Sequence, residues 1–180
     1  MIHGERVLLR PVQRDDLPRL YEILSDVETL SLESGGPPVI GPFEGFVAWW
    51  EKGLSEGKPS PEFAIEFEGK VEGYVGLHHV DEHNRRTDVG IYLARERWNQ
   101  RLGQDALRAI VGFAFRHLNM RRVQLEVLAE DGRAVGAYRK AGFVEEGRAR
   151  QRDWLDGTYE DVLYMAILRD EWREGPPDGL

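Results

Sequence analysis

The 180 residues contain no cysteine, which excludes disulfide frameworks, thiolate nucleophiles and Cys-ligated zinc or iron–sulfur sites. No apolar run approaches the roughly 20 residues that a membrane helix needs. The opening Met1-Ile2-His3-Gly4-Glu5-Arg6 lacks the basic start and apolar stretch of a signal peptide. With the absence of cysteine, this sets the expectation of a cytoplasmic protein without a membrane partner. Positive charge is also scarce: 24 Lys and Arg stand against 32 Asp and Glu, a formal charge of −8. That argues against a protein that holds nucleic acid through its phosphates. No G-x-x-x-x-G-K-[ST] and no G-x-G-x-x-G occurs, so nucleotide-hydrolysing and dinucleotide readings lack their phosphate loops.

What is present is a soluble, globular composition, 41% apolar and 31% charged. The length suits one domain, expected over residues 1–174, with 175–180 as a frayed tail. Arg6 to Arg10 reads as a strand stopped by Pro11. Asp15 or Asp16 caps a helix whose apolar face is Leu17, Leu20, Tyr21 and Leu24. Residues 34–42 read as a loop. Phe46, Trp49, Trp50 and Leu54 mark a second helix, ended by Lys58-Pro59-Ser60-Pro61. Strands follow at 63–67, 71–80 and 88–93, the first two forming a hairpin.

Leu102, Ala106, Ile110, Phe113 and Ala114 then mark a helix over about 100–118, roughly 28 Å long. A strand at 122–128, a short helix at 132–141 closed by Gly142, and strands at 143–151 and 159–168 complete the chain. This order implies an α/β (α+β) domain with a mixed, mostly antiparallel sheet and helices on both sides.

Charge runs against the average between Arg95 and Arg122. Seven arginines stand there against Glu96 and Asp105, a local balance of +5 in an acidic chain. Arg95, Arg97 and Arg101 crowd the start of the long helix, where free backbone N–H groups and the helix dipole favour phosphate.

The stretch Ile91-Tyr92-Leu93-Ala94-Arg95-Glu96-Arg97-Trp98-Asn99-Gln100-Arg101-Leu102-Gly103 fits most of V-x-V-x(4)-[QR]-x-x-G-x-[GA]. Further on, Asp131-Gly132-Arg133-Ala134-Val135-Gly136-Ala137-Tyr138-Arg139-Lys140-Ala141-Gly142-Phe143 fits N-x-R-A-x-x-x-Y-x-K-x-G-F. At this spacing the two blocks resemble the GNAT superfamily of acyl-CoA-dependent N-acetyltransferases. Arg6-Val7-x-Leu9-Arg10-Pro11 and Asp156 to Asp161 are similar to the branch that acetylates ribosomal-protein N-termini.

The resemblance implies a GNAT-like sheet of about six to seven strands and acetyl-CoA as co-substrate. It implies that Ile91 and Leu93 border the pantetheine arm. Backbone amides of Gln100, Arg101, Leu102, Gly103 and Gln104 are expected to hold the pyrophosphate, with Asp131 and Ala134 lining the path. Arg97, Arg133 or Lys140 would add charge for the remaining phosphates. Tyr138 is expected to protonate the departing thiolate.

Three places depart from the pattern. Trp98 stands where the motif has Gln or Arg and reads as a packing aromatic. Arg101 stands at the first glycine and keeps its phosphate contact where its φ is negative. Asp131 replaces Asn and still offers a helix cap.

The amine must attack in its neutral form, so a base is required. The order of candidates is Glu126, His79 and Asp88. The acceptor is a primary amine: a protein N-terminus, which the branch resemblance favours, a polyamine or an amino-bearing small molecule. A non-catalytic acyl-CoA-binding or interaction module of the same fold is the alternative. His78, His79, Asp81 and His83 cluster on a strand end and turn, where i and i+4 share no face, so no metal is expected. Trp49 and Trp50 cannot both face one side, so one lines a cleft or the surface of a homodimer.

Overall fold

The structure is a computed structural model describing residues 1–34, 40–55 and 61–173. Most of the expected 34–42 loop, the stop at Lys58-Pro59-Ser60 and the tail at 175–180 lie outside these residues.

The described elements are β1 (Ile2–His3), β2 (Leu8–Pro11), α1 (Leu17–Leu24), α2 (Val27–Ser34), α3 (Phe43–Ser55), β3 (Glu62–Phe67), β4 (Lys70–Asp81) and β5 (Arg86–Leu93). They continue with α4 (Leu102–His117), β6 (Arg122–Leu128), α5 (Gly132–Ala141), β7 (Val144–Leu155) and β8 (Thr158–Leu168). One eight-stranded sheet runs in the order β1-β2-β3-β4-β5-β6-β8-β7. This exceeds the expected six to seven strands because a two-residue β1 pairs with β2 through Ile2↔Leu9 and His3↔Leu8. A strand that short leaves no alternation to read. Helix α2 also carried no periodic apolar signal, since Thr29 and Ser31 interrupt its pattern.

Two layers of helix sandwich the sheet. Leu102, Ala106, Ile110 and Ala114 of α4 are wholly buried, as the 3.6-residue stripe required. They meet Ile65, Val75, Leu77, Val89, Ile91 and Val123 from alternate positions of the strands. On the opposite face Leu17, Leu20 and Trp50 pack on Ala64, Val71 and Tyr74. Of the tryptophan pair, Trp50 is buried and Trp49 is exposed.

The carboxylate of Asp16 does not cap α1. It hooks back to the Gln13 N–H at 2.7 Å and pairs with Arg10, which ties α1 to β2. Asp105, in the first turn of α4, accepts from the backbone N–H groups of Glu5, Arg6 and Val7 at 2.8–2.9 Å. That buried carboxylate fixes the N-terminal segment beneath the helix.

The feature that positions the site is a fork. β5 and β6 are the only parallel neighbours among the described strands, and they pair at just three positions, ending with Asp88↔Gln124. Beyond that pair β5 stays with β4 as far as Leu93↔Gly73, and β6 stays with β8 as far as Leu128↔Val162. The sheet therefore opens between residues 89–93 and 125–128. The start of α4 stands over this opening.

Candidate active site

A narrow cleft of about 40 Å³ lies at the fork. Ile91 and Leu93 of β5, Gly103 and Leu107 of α4, and Ala134, Ala137 and Tyr138 of α5 line it, with Thr29, Trp98 and Arg133. The two sequence blocks, 28 positions apart, thus meet across one cleft.

Each wall has a local cause. Gly103 lets the first turn of α4 approach β5, because a Cβ there would lie 3.0 Å from Leu93 Cδ1. The Asp131 carboxylate accepts from Ala134 N–H at 2.9 Å and caps α5 as expected, and Gly142 ends that helix at φ +104°. Tyr138, 4% exposed, packs edge-on against Phe143 and faces the cleft from α5. Among the described residues no side chain caps the start of α4, so its first-turn N–H groups and dipole can meet an anion. An apolar channel leading to an uncapped helix start suits the pantetheine and pyrophosphate of acetyl-CoA.

The remaining expected residues are placed as follows. Arg101 adopts the left-handed conformation, φ +65°, where the expectation required a negative value. The chain needs that turn to enter α4, and an arginine makes it in place of a glycine. The Arg101 side chain is exposed and does not line the cleft. Arg97, expected to add charge at the phosphates, donates to the buried Glu72 at 2.7 Å, because the sheet buries that carboxylate and requires a cation. The Gln100 side-chain amide donates to the Glu96 backbone carbonyl at 2.7 Å, and the Gln100 backbone carbonyl accepts from Arg6. Gln104 faces Arg108, and the Leu102 side chain is core. The Lys140 side chain is exposed. Trp98 is a cleft residue: its indole N–H donates to the Leu93 carbonyl at 3.0 Å.

Glu126, ranked first as the base, is exposed and ion-paired with Arg152 at 2.5 Å. His79 and Asp88 are brought together: His79 Nδ1 lies 2.8 Å from Asp88 Oδ2, and Gln124 donates to Asp88 Oδ1 at 2.8 Å. Asp88 therefore closes the crotch of the fork.

Beside that crotch lies a polar group in which sequence reasoning named His78 only as one of a histidine cluster and did not name its neighbours Tyr74 and Glu62. His78 is paired with Asp88 across the strands, and its ring lies over two facing glycines. A Cβ at Gly76 would meet the ring at 3.0 Å, and one at Gly90 at 3.3 Å. Burial holds the His78 imidazolium below its usual pKa, outweighing the nearby Glu62 carboxylate. Burial and then the same carboxylate push the Tyr74 phenol up. The signal available was the alternation of Tyr74, Gly76 and His78, which puts all three on one face.

Comparison with known proteins agrees with this architecture. The family model described as an acetyltransferase (GNAT) domain matches residues 6–144. The chain is 28% identical over 111 residues to a putative ribosomal N-acetyltransferase of Bacillus subtilis, covering 62% of this chain and 61% of that protein. It is 25% identical over 175 residues to spermidine N(1)-acetyltransferase of Escherichia coli K12, covering 96% and 91%. Among solved structures, spermidine N-acetyltransferase from Vibrio cholerae in complex with CoA and spermine superposes with a TM-score of 0.85 at 24% identity, covering 93% and 98%. The chain belongs to the GNAT acetyltransferase family and is an acyl-CoA-dependent N-acetyltransferase that acetylates amines.

Proposed function

We propose that the acceptor is a small polycationic amine of the polyamine class, with Tyr138 as the acid and the Asp88–His79 pair as the base. The observation that carries this reading is the fork. The Tyr138 phenol faces the cleft beyond it, and Asp88 closes it.

Bound acetyl-CoA supplies a thioester whose carbonyl carbon accepts the amine nitrogen as the C–S bond breaks. The first-turn amides of α4, residues 102–104, hold the diphosphate, and Ile91 and Leu93 exclude water along the pantetheine. The Asp88–His79 pair takes the proton that the incoming ammonium must lose, giving nitrogen its lone pair. Tyr138 gives its proton to the departing thiolate, and the second amine proton restores the phenol. One proton is released in all.

Carboxylates on this face of the sheet, Glu62 on β3 and Asp88 on β5, suit an acceptor carrying several ammonium groups. The relatives that match most of the chain include spermidine acetyltransferases. The putative ribosomal relative matches 62% of it.

The test is acetyl-CoA consumption with spermidine, spermine and Ala- or Ser-starting peptides. Turnover of the polyamines with inert peptides is expected, and a preference for peptides would overturn the assignment. In the same assay Tyr138→Phe is expected to lower kcat by about 10²–10⁴-fold with CoA affinity kept. Asp88→Asn is expected to lower kcat. Unchanged rates would remove either residue from its role.

A further inference from the structure

Two departures from the family pattern, Trp98 and Asp131, touch the same side chain. The Arg133 guanidinium carbon lies 3.9 Å from the centroid of the Trp98 ring, and Arg133 Nη2 donates to Asp131 Oδ2 at 2.9 Å. All three stand at one wall of the cleft: Trp98 and Arg133 line it, and Asp131 caps the helix that carries Arg133.

We propose that Trp98 and Asp131 act as a clamp that presents Arg133 to the pyrophosphate of acetyl-CoA. In this way Trp98 replaces indirectly the polar or cationic residue the motif has at its position. The inference rests on the coenzyme site described above.

The chemistry of each part supports it. A Gln or Arg at position 98 would offer donors of its own. The indole has one N–H, and the Leu93 carbonyl takes it. Trp98 therefore has no donor left for a ligand, but its ring holds cations: the Arg133 guanidinium carbon lies 3.9 Å from the centroid, and that of Arg95 lies farther out at 6.0 Å. A guanidinium stacked on that face keeps its in-plane N–H groups at the edges, which is the geometry for a bidentate phosphate contact.

One edge is held by Asp131 Oδ2, while Oδ1 of the same carboxylate caps α5. An asparagine there would cap the helix equally well but would not anchor a cation by charge. The alternative cation, Arg97, is committed to Glu72. Arg133 is thus the arginine of this wall that the fold aims at the cleft. Trp98 and Asp131 are positioning residues, and Arg133 makes the contact.

The test is isothermal titration of the intact protein with CoA and with dephospho-CoA, which lacks the 3′-phosphate but keeps the pyrophosphate. Arg133→Ala and Trp98→Leu are each expected to weaken CoA binding by about tenfold, with a similar loss for dephospho-CoA. The double variant should lose little more than either single one, because the two act as a unit. Trp98→Phe, which keeps a ring face, should retain most of the affinity, and this rescue separates stacking from simple packing. Steady-state kinetics should place the loss in KM for acetyl-CoA with kcat kept.

Additive losses, or an Arg133→Ala protein that binds CoA as the parent does, would overturn the proposal. So would a loss confined to CoA and absent for dephospho-CoA, which would assign Arg133 to the 3′-phosphate. Failure of the parent protein to bind CoA would instead overturn the coenzyme site itself. Should Trp98→Leu unfold, Arg133→Ala and Trp98→Phe still decide the matter.

Discussion

Arg101 is a residue under local strain. Its φ of +65° is left-handed, a conformation that crowds Cβ against the backbone and costs about 1–2 kcal/mol for an L-residue. Its side chain makes no cap to α4 and is exposed, so little in the folded state offsets that cost. Arg101→Gly is therefore expected to stabilise the protein by about 1 kcal/mol, after allowance for the freer glycine in the unfolded chain. Thermal unfolding would show a raised midpoint. A lowered one would mean that the guanidinium contributes more than the strain removes. Nearby Asn99 is also left-handed, at φ +59°, but asparagine tolerates that region and needs no such correction.

At the scale of elements, one carboxylate joins three pieces of chain. Glu72 on β4 is buried and accepts from Arg97 in the 95–97 turn at 2.7 Å and from Arg19 on α1 at 3.2 Å. Arg19 also reaches Glu96 in that turn. Burial alone would push the Glu72 carboxyl up, but hydrogen bonds and charge from the two arginines outweigh it and hold it below its ordinary value. The network fixes the turn that leads to the start of α4 against α1. Glu72→Gln removes the charge and leaves two guanidiniums facing a neutral amide. The expected loss is about 3 kcal/mol, the low end of the range for breaking a buried pair, because both arginines keep contact with water. Urea unfolding measures it, and a loss under 1 kcal/mol would show that the arginines simply re-pair with Glu22 and Glu96.

The whole molecule carries an acidic surface in which many carboxylates have partners. Arg10 holds Asp16, the Thr29 backbone N–H holds Asp26, and Arg122 holds Glu146, all below their ordinary values of 3.8 to 4.5. A carboxylate whose folded pKa is depressed contributes stability that is full above the unfolded value. That contribution disappears as pH falls through the folded value. Stability is therefore expected to decline below about pH 4. His78 adds a second window. Its folded pKa lies below 6.5, so its contribution is full above pH 6.5 and is lost as pH falls from there. Urea unfolding at pH 7.0 and pH 5.5 should show the parent weaker at the lower pH. His78→Asn should shrink the difference, and an unchanged difference would place the titration elsewhere.

Local pattern carried much of this protein. The stripe from Leu102 to Ala114 made α4 legible, because an amphipathic period of 3.6 has few other solutions. The family resemblance carried by the 91–103 and 131–143 blocks pointed to Ile91, Leu93, Gly103, Ala134 and Tyr138, and the fold gathers these around one cleft. The Asp131 cap and the Gly142 stop were readable because neighbours in sequence determine such backbone shapes. Choices between chemically similar side chains were not. Nothing in the order of residues says that Arg97 turns to Glu72 while Arg133 turns to the cleft. Nor does it say that Glu126 is taken by Arg152, or that His79 joins Asp88 at the crotch. Those outcomes depend on which strands lie side by side and which carboxylate the sheet buries. They are long-range pairings, such as residues 72 with 97 or 88 with 124, and only the closed tertiary structure brings such partners within hydrogen-bond reach.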